Sequence, residues 1–129
     1  MRVLVDTSVW VAHFKQRDNH LVSLLEIGLV VCHPYVVVEV ACGTPPARNA
    51  VVSMLATLDS IAVAHQAELL SFIERRRLFG RGCGFVDLSL LAAAMLSGQA
   101  RIWTRDLRLA ALADEMDCRY LPHEGAASA

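Results

Sequence analysis

Short apolar blocks and longer amphipathic blocks alternate along this chain, and together they predict strands and helices in turn. Buried strands are predicted at 3–5, 29–32, 60–63, 101–104 and 119–121, because each is a short run rich in β-branched or other apolar residues. The intervening stretches have the spacing of helices, and glycine or proline marks several of their ends. Strands that alternate with helices predict an α/β sandwich with a parallel sheet, here of five strands.

Seven helices fill the intervals between the predicted strands. They are predicted at 8–15, 19–27, 35–41, 47–58, 65–77, 85–96 and 106–114. The strongly apolar helix at 85–96 follows a glycine-rich linker at 78–84 and is expected to be buried. No repeat or long linker divides the chain, so we predict a single domain at 1–122 and a short flexible tail at 123–129.

Composition limits the class of protein. Of 129 residues, 55% are hydrophobic, which predicts a well-filled core. Hydrophobic runs stay below the ~18–20 residues of a membrane span, and the first strand leaves no room for a signal peptide, so we expect a cytoplasmic protein. The four cysteines lack C-x-x-C spacing and the five histidines are scattered, which favours buried free thiols over disulfides and disfavours a zinc site.

The balance of charge does not identify a partner by itself. The formal net charge is −1, which argues neither for nor against nucleic acid. Eleven of the twelve basic residues are arginines, the residue type best suited to bidentate contacts with phosphate, although a GC-rich genome would produce the same bias.

Four acidic residues stand out by position. Asp6 follows the first strand, Glu39 lies inside the apolar run VVVEVAC, Asp87 is in the first turn of the apolar helix, and Asp106 follows the fourth strand. Taken singly, each has an ordinary interpretation: the three aspartates are favoured at helix N-termini, and Glu39 could face solvent. The valines around Glu39 nevertheless favour partial burial of this carboxylate.

Taken together, the four acids predict a metal site. Ligands gather at the carboxyl ends of strands in open α/β sheets, and carboxylates that converge there repel one another unless cations lie between them. A cluster of oxygen ligands is what Mg²⁺ or Mn²⁺ prefers. The other nine acidic residues fall in turns, tails and amphipathic helices: Asp18, Glu26, Asp59, Glu68, Glu74, Asp114, Glu115, Asp117 and Glu124.

Four segments then resemble a known family. VDTSVW, HPYVVVEVACG, GRGCGFVDLSLLAAA and WTRDLRL, in this order over 3–120, resemble PIN-domain ribonucleases, and most closely the VapC toxins of bacterial toxin–antitoxin pairs. The resemblance implies a three-layer sandwich with a five-stranded parallel sheet flanked by helices. It also implies a metal-dependent endoribonuclease that hydrolyses RNA phosphodiester bonds and arrests translation, with Mg²⁺ as cofactor and Mn²⁺ as substitute.

Site residues and partners follow from the same resemblance. The family's four acidic positions match Asp6, Glu39, Asp87 and Asp106, as catalytic residues and metal ligands, and its hydroxyl positions match Thr7 and Thr104. A homodimer and a cognate VapB-like antitoxin are implied as partners. We expect the antitoxin to cover helix surface within 8–27, with an aromatic anchor such as Trp10 or Phe14.

Four arginines next to the glycine linker are candidate RNA contacts. Arg75, Arg76, Arg77 and Arg81 could track phosphates beside the acidic cleft, or they could be a solvated charge run at a helix C-terminus.

Other functions are compatible with parts of the pattern. A receiver-type signalling domain would need an acid next to Asp6 and a lysine late in the chain, whereas Val5 precedes Asp6 and the single lysine is Lys15. A pure binding module would be expected to have lost at least one of the four acids. A PIN-type nuclease that acts on DNA, or in RNA processing without a toxin role, is the alternative that the sequence leaves open.

Overall fold

The structure is a computed structural model that describes residues 1–122, and it shows a parallel sheet with helices packed against it. The strands are β1 (Arg2–Val5), β2 (Val30–Val31) and β3 (Ala100–Trp103). The helices are α1 (Thr7–Lys15), α2 (Asn19–Glu26), α3 (Pro34–Cys42), α4 (Arg48–Thr57), α5 (Gln66–Arg76), α6 (Phe85–Ser97) and α7 (Leu107–Glu115). Among the described residues, none of these helices has both the length and the apolarity that crossing a membrane requires. The predicted tail at 123–129 lies outside the described residues.

β1 is the central strand of the sheet. It pairs in parallel with β2 on one side, where Val3 lies opposite Val30, and with β3 on the other, where Leu4 lies opposite Ile102. Residues 3–5 are at most 1% exposed, as an unbroken apolar run predicts for a strand covered on both faces. The chain therefore leaves the middle of the sheet at Asp6.

The prediction of five strands is wrong for the described residues, in which three strands form. Ser60 and Arg119, in the predicted third and fifth strands, make only isolated parallel bridges to Cys32 and Ile102. Each ladder stops after two backbone hydrogen bonds. The next bond of the ladder at Ser60 would need the N–H of Pro34, and proline has none. In the ladder at Arg119 the next bond, from the Thr104 N–H to the Tyr120 carbonyl, does not form among the described residues.

α6 is the most deeply buried helix and packs against β3 and α5. All seven residues at 88–94 are buried, and the alanines at 92–94 are small enough to let the helix lie close to the sheet. Its first turn is different, because Phe85 is exposed and Asp87 is half-buried. The prediction of a buried helix with its single acid at the mouth is confirmed.

The aromatic side chains of α1 divide between core and surface. Trp10 is completely buried, so the expectation that it could anchor a partner is wrong. Phe14 is half-buried and stacks on Trp10, with 6.2 Å between the ring centroids. Among the large apolar residues of this helix, Phe14 and the more exposed Val11 are the two that reach the surface.

All four cysteines are free, as predicted, but only two of them are buried. Burial raises the pKa of Cys32 and of Cys118 to about 11, so these thiols stay protonated and unreactive at neutral pH. Cys42 is exposed and Cys83 is half-buried, because they lie at a helix end and in the glycine linker rather than in the sheet.

Candidate metal centre at the carboxyl edge of the sheet

Asp6 is a buried carboxylate held by hydroxyl groups. Its side chain is the N-cap of α1 and belongs to a residue that is only 4% exposed. One oxygen, Oδ2, accepts hydrogen bonds from the hydroxyls of Ser8 and Thr104, each at 2.7 Å, and a longer one from the Ser8 backbone N–H. The Asp6 carboxylate therefore caps α1, as an N-terminal aspartate is expected to do. The cap and both hydroxyl bonds use Oδ2, and Oδ1 takes no part in them.

Ser8 and Thr104 join three elements at this point. Thr104 lies just beyond β3, and its hydroxyl accepts from the backbone N–H of Asp106 at 3.0 Å. The Ser8 hydroxyl accepts from the backbone N–H of Arg105 at 2.9 Å. The two hydroxyls thus hold Asp6 and fix the turn that carries Asp106. Sequence reasoning assigns a role to Thr104 and none to Ser8, although the position of Ser8 two residues after Asp6 suits a local side-chain bond.

Asp106 is the exposed N-cap of α7. Its Oδ1 accepts from the backbone N–H groups of Arg108 and Leu109 at 2.9 and 3.3 Å, which leaves Oδ2 outside the cap. The prediction that Asp106 caps a helix is therefore confirmed. As with Asp6, the cap orients the carboxylate without using both of its oxygens.

Glu39 is exposed, so the expectation of partial burial is wrong. Val36 and Val40 form the buried face of α3, while Glu39 lies on another face with the exposed Val38. The Thr7 hydroxyl donates to Glu39 Oε1 at 2.5 Å, which ties the start of α1 to α3. Such a short bond is typical of a hydroxyl that donates to a charged carboxylate.

Asp87 shows that the four acids share one electrostatic environment. It is half-buried in the first turn of α6, and Gly84 N–H lies 3.5 Å from its Oδ2. Burial raises the pKa of Asp87, and so do the negative charges of Asp6, Asp106 and Glu39, while the Gly84 N–H acts in the opposite direction. The three other carboxylates are therefore close enough to repel it.

The donor set fits a hard divalent cation. The five ion pairs found among residues 1–122 all involve other acids, so no arginine, lysine or histidine there forms an ion pair with any of the four carboxylates. In the same part of the chain, no three Asp, Glu, His or Cys side chains already form a closed metal-binding group. Carboxylates that no ion pair offsets, with oxygen as the only donor atom, fit a hard divalent cation at this edge of the sheet.

The four arginines that sequence reasoning singles out are all exposed, in two different settings. Arg75 and Arg76 end α5, and Arg77 follows in the left-handed conformation. Arg81 instead donates to Glu115 Oε1 at 2.7 Å, so part of its hydrogen-bonding capacity is already used. Contact of these arginines with RNA stays a prediction.

Comparison with known proteins gives three findings. The PIN domain family model matches residues 3–115. Ribonuclease VapC32 of Mycobacterium tuberculosis, from strain CDC 1551 / Oshkosh and from strain ATCC 25618 / H37Rv, is 46% identical over 113 residues, or 88% of this chain and 91% of that protein. The structure of VapBC-1 from nontypeable Haemophilus influenzae matches with a TM-score of 0.68 at 17% identity, over 94% of this chain and 97% of that one. At that identity the structural match shows the fold alone.

Proposed function

This chain belongs to the PIN-domain family and, within it, to the VapC ribonucleases, and from this premise we propose that it is the toxin of a toxin–antitoxin pair. In this proposal it is a metal-dependent endoribonuclease that hydrolyses RNA phosphodiester bonds and arrests translation. The observation that supports the proposal best is the Thr104 hydroxyl, which donates to Asp6 and accepts from the backbone N–H of Asp106 at the carboxyl edge of the sheet. The charges of Asp6, Asp106 and Glu39 also raise the pKa of Asp87, as expected for four neighbouring acids.

Each acid has a distinct part in the proposed reaction. Asp6, Asp87 and Asp106 would hold Mg²⁺, for which Mn²⁺ can substitute, and Glu39 would hold a water or complete the ligand set. A bound cation of this kind supplies a hydroxide near neutral pH and stabilises negative charge on the phosphate. The two threonines would orient the carboxylates: the Thr104 hydroxyl donates to Asp6, and the Thr7 hydroxyl donates to Glu39.

A matched pair of oligonucleotides tests the reaction and the main alternative. We expect hydrolysis of a single-stranded RNA with Mg²⁺ or Mn²⁺, no hydrolysis with EDTA, and much slower hydrolysis of the DNA of the same sequence. Analysis of products on a denaturing gel measures all three. Equal cleavage of DNA would favour the alternative, a PIN-type nuclease that acts on DNA, because carboxylate–metal chemistry does not itself require a 2′-hydroxyl.

The structure offers a groove suited to the proposed antitoxin. Val11, Phe14 and Lys15 of α1 face the turn at 43–46 across a groove of about 250 Å³. Glu39 lines the same groove, so a chain bound there lies next to the acidic site. The Haemophilus structure that shares this fold is of VapBC-1, and we propose that a VapB-like chain binds this groove and blocks access to the carboxylates.

A second apolar surface supports the proposed homodimer. Leu70 of α5 and Phe85 of α6 are 58% and 62% exposed. With Tyr35 and Ile73 they line a groove of about 380 Å³, in which the rings of Tyr35 and Phe85 lie 5.3 Å apart. We propose that a second copy of the chain covers this surface, which we call the α5–α6 patch.

Charge on the α5–α6 patch should separate the two copies. Leu70→Glu is expected to shift the protein from dimer to monomer, because it would bury a carboxylate in an apolar interface. Leu96→Glu is the matched control, since Leu96 is also 58% exposed but lies at the other end of α6. Sedimentation velocity measures the mass, and a dimer that survives Leu70→Glu would contradict the placement of the interface.

A further inference from the structure

The side chain of Arg108 lies against the bare backbone of Gly82. A Cβ atom at Gly82 would be 2.7 Å from Arg108 Cδ and 3.1 Å from both Nε and one terminal guanidinium nitrogen. Gly82 has φ +84°, a conformation that residues with a side chain rarely adopt. The backbone conformation therefore favours glycine at this position, and a Cβ there would force the Arg108 side chain to move.

This contact lies beside the four-carboxylate site. Arg108 is in the first turn of α7, two residues after Asp106. The half-buried Cys83, next to Gly82, experiences the charges of Asp87, Asp106 and Arg108 together. Gly84, two residues after Gly82, has its N–H 3.5 Å from Asp87 Oδ2. The guanidinium on Gly82 therefore lies beside the first turns of both α6 and α7.

Stability does not explain a cation at this position. A positive charge in the first turn of a helix is disfavoured by the helix dipole. Within residues 1–122, the Arg108 guanidinium forms no ion pair and donates no hydrogen bond, whereas Arg81 and Arg119 are each paired with an acid. Its donors thus remain available to a ligand from solution.

We propose that Arg108, seated on Gly82, binds a phosphate of the RNA next to the four-carboxylate site. Arginine can hold a phosphate by two parallel hydrogen bonds, and the absence of a Cβ at Gly82 lets the side chain lie against the linker backbone. A cation here also offsets the repulsion that an acidic site exerts on a polyanion. The inference rests on the proposed ribonuclease function and adds a binding residue to it.

RNA binding without cleavage tests the role of Arg108 directly. In EDTA, the affinity of the full-length protein for a fluorescein-labelled single-stranded RNA is measured by anisotropy over a range of salt concentrations. Arg108→Ala should weaken binding about tenfold and lower the slope of log K against log salt by about 0.7, the loss of one contact with a single strand. Arg17→Ala removes an exposed arginine between α1 and α2 and is the matched control for charge.

The glycine gives an independent test. Gly82→Ala should weaken RNA binding as Arg108→Ala does, because the new methyl group displaces the guanidinium. Gly80→Ala is the matched control, since Gly80 also has a positive φ, of +70°, but no atom within 4 Å of the place that a Cβ would take. In the Gly82→Ala/Arg108→Ala double variant, affinity should fall no further than in Arg108→Ala alone.

The outcomes separate this inference from the function on which it rests. Wild-type affinity and salt slope in Arg108→Ala would overturn the inference while leaving the ribonuclease in place. Equal losses of RNA affinity in Gly82→Ala and Gly80→Ala would show that backbone strain causes the loss, not displacement of Arg108. That result would overturn the proposed role of Gly82. A wild type that neither binds nor cleaves RNA would overturn the proposed function itself.

Discussion

Asp87→Asn should abolish metal-dependent cleavage and at the same time make the metal-free protein more stable. Loss of residues that merely orient metal ligands costs 10–100-fold, so removal of a direct ligand is expected to cost at least about 100-fold in cleavage rate. Calorimetry should show a matching loss of Mn²⁺ binding. Asp6→Asn should lose cleavage in the same way.

The gain in stability follows from the sign of the pKa shift. Burial, Asp6, Asp106 and Glu39 raise the pKa of Asp87 in the folded protein. The ionised Asp87 carboxylate is therefore less stable in the folded protein than in the unfolded chain. Its charge lowers the free energy of unfolding at every pH above the raised pKa. Asparagine carries no charge, so Asp87→Asn should melt at a higher temperature at pH 7. The difference should shrink as the pH falls through the raised pKa and vanish below about 4.

Asp114→Asn is the matched control for Asp87→Asn. Asp114 is an exposed aspartate of α7 that pairs with Arg119 at 2.9 Å, and its loss should leave both cleavage and metal binding unchanged. A folded Asp87→Asn protein that cleaves at the wild-type rate would disprove the site. A destabilised one would instead mean that the carboxylates do not repel one another in the metal-free protein.

The acidic site could be predicted because its determinants are local in sequence. Asp6 directly follows β1, and Asp106 comes shortly after the end of β3. Asp87 lies in the first turn of α6, the most apolar helix. Parallel strands bring their carboxyl ends to one edge, so three positions along the chain were enough to place these acids together. Glu39 lies inside a helix, where sequence indicates the neighbours but not which face is covered.

Contacts between distant segments could not be predicted in this way. The hydrogen bond between the Arg105 backbone N–H and the Ser8 hydroxyl joins residues 97 positions apart. The contact of Arg108 with Gly82 joins a helix to a linker, and no pattern in the sequence connects the two segments. The short ladder at Ser60 was beyond prediction for a related reason. Pro34 predicts the start of a helix, but its effect on the ladder appears only once its neighbouring segment is known.

The faces of α1 were also beyond prediction. Val9, Trp10, Val11 and Phe14 are all apolar, so the helix has no clear polar side to show which of them faces outward. The structure buries Val9 and Trp10 and leaves Val11 40% exposed. Of the two aromatic residues that the sequence offered as an anchor for the antitoxin, Phe14 alone lines the groove, with Val11 beside it.

Expressed alone in a bacterial host, the protein should arrest growth, and co-expression of its VapB-like partner should relieve the arrest. Val11→Asp should cancel this relief, because it places a charge in the groove between α1 and the 43–46 turn while all four carboxylates keep their identity. Loss of a buried interface anchor costs about 2 kcal/mol or more, or roughly 30-fold in affinity. Growth curves and co-purification with a tagged antitoxin measure the two effects.

Two further variants distinguish loss of the partner from loss of the fold. Ile27→Asp changes a residue that is 67% exposed beyond the end of α2 and should leave the relief intact. Trp10→Ala should abolish toxicity with or without the antitoxin, because emptying a fully buried aromatic site costs about 3–5 kcal/mol of stability. If Val11→Asp stays toxic alone and is still neutralised, the antitoxin binds another surface. If the folded wild type is harmless in several hosts, the nuclease is not a toxin, and its chemistry serves another role.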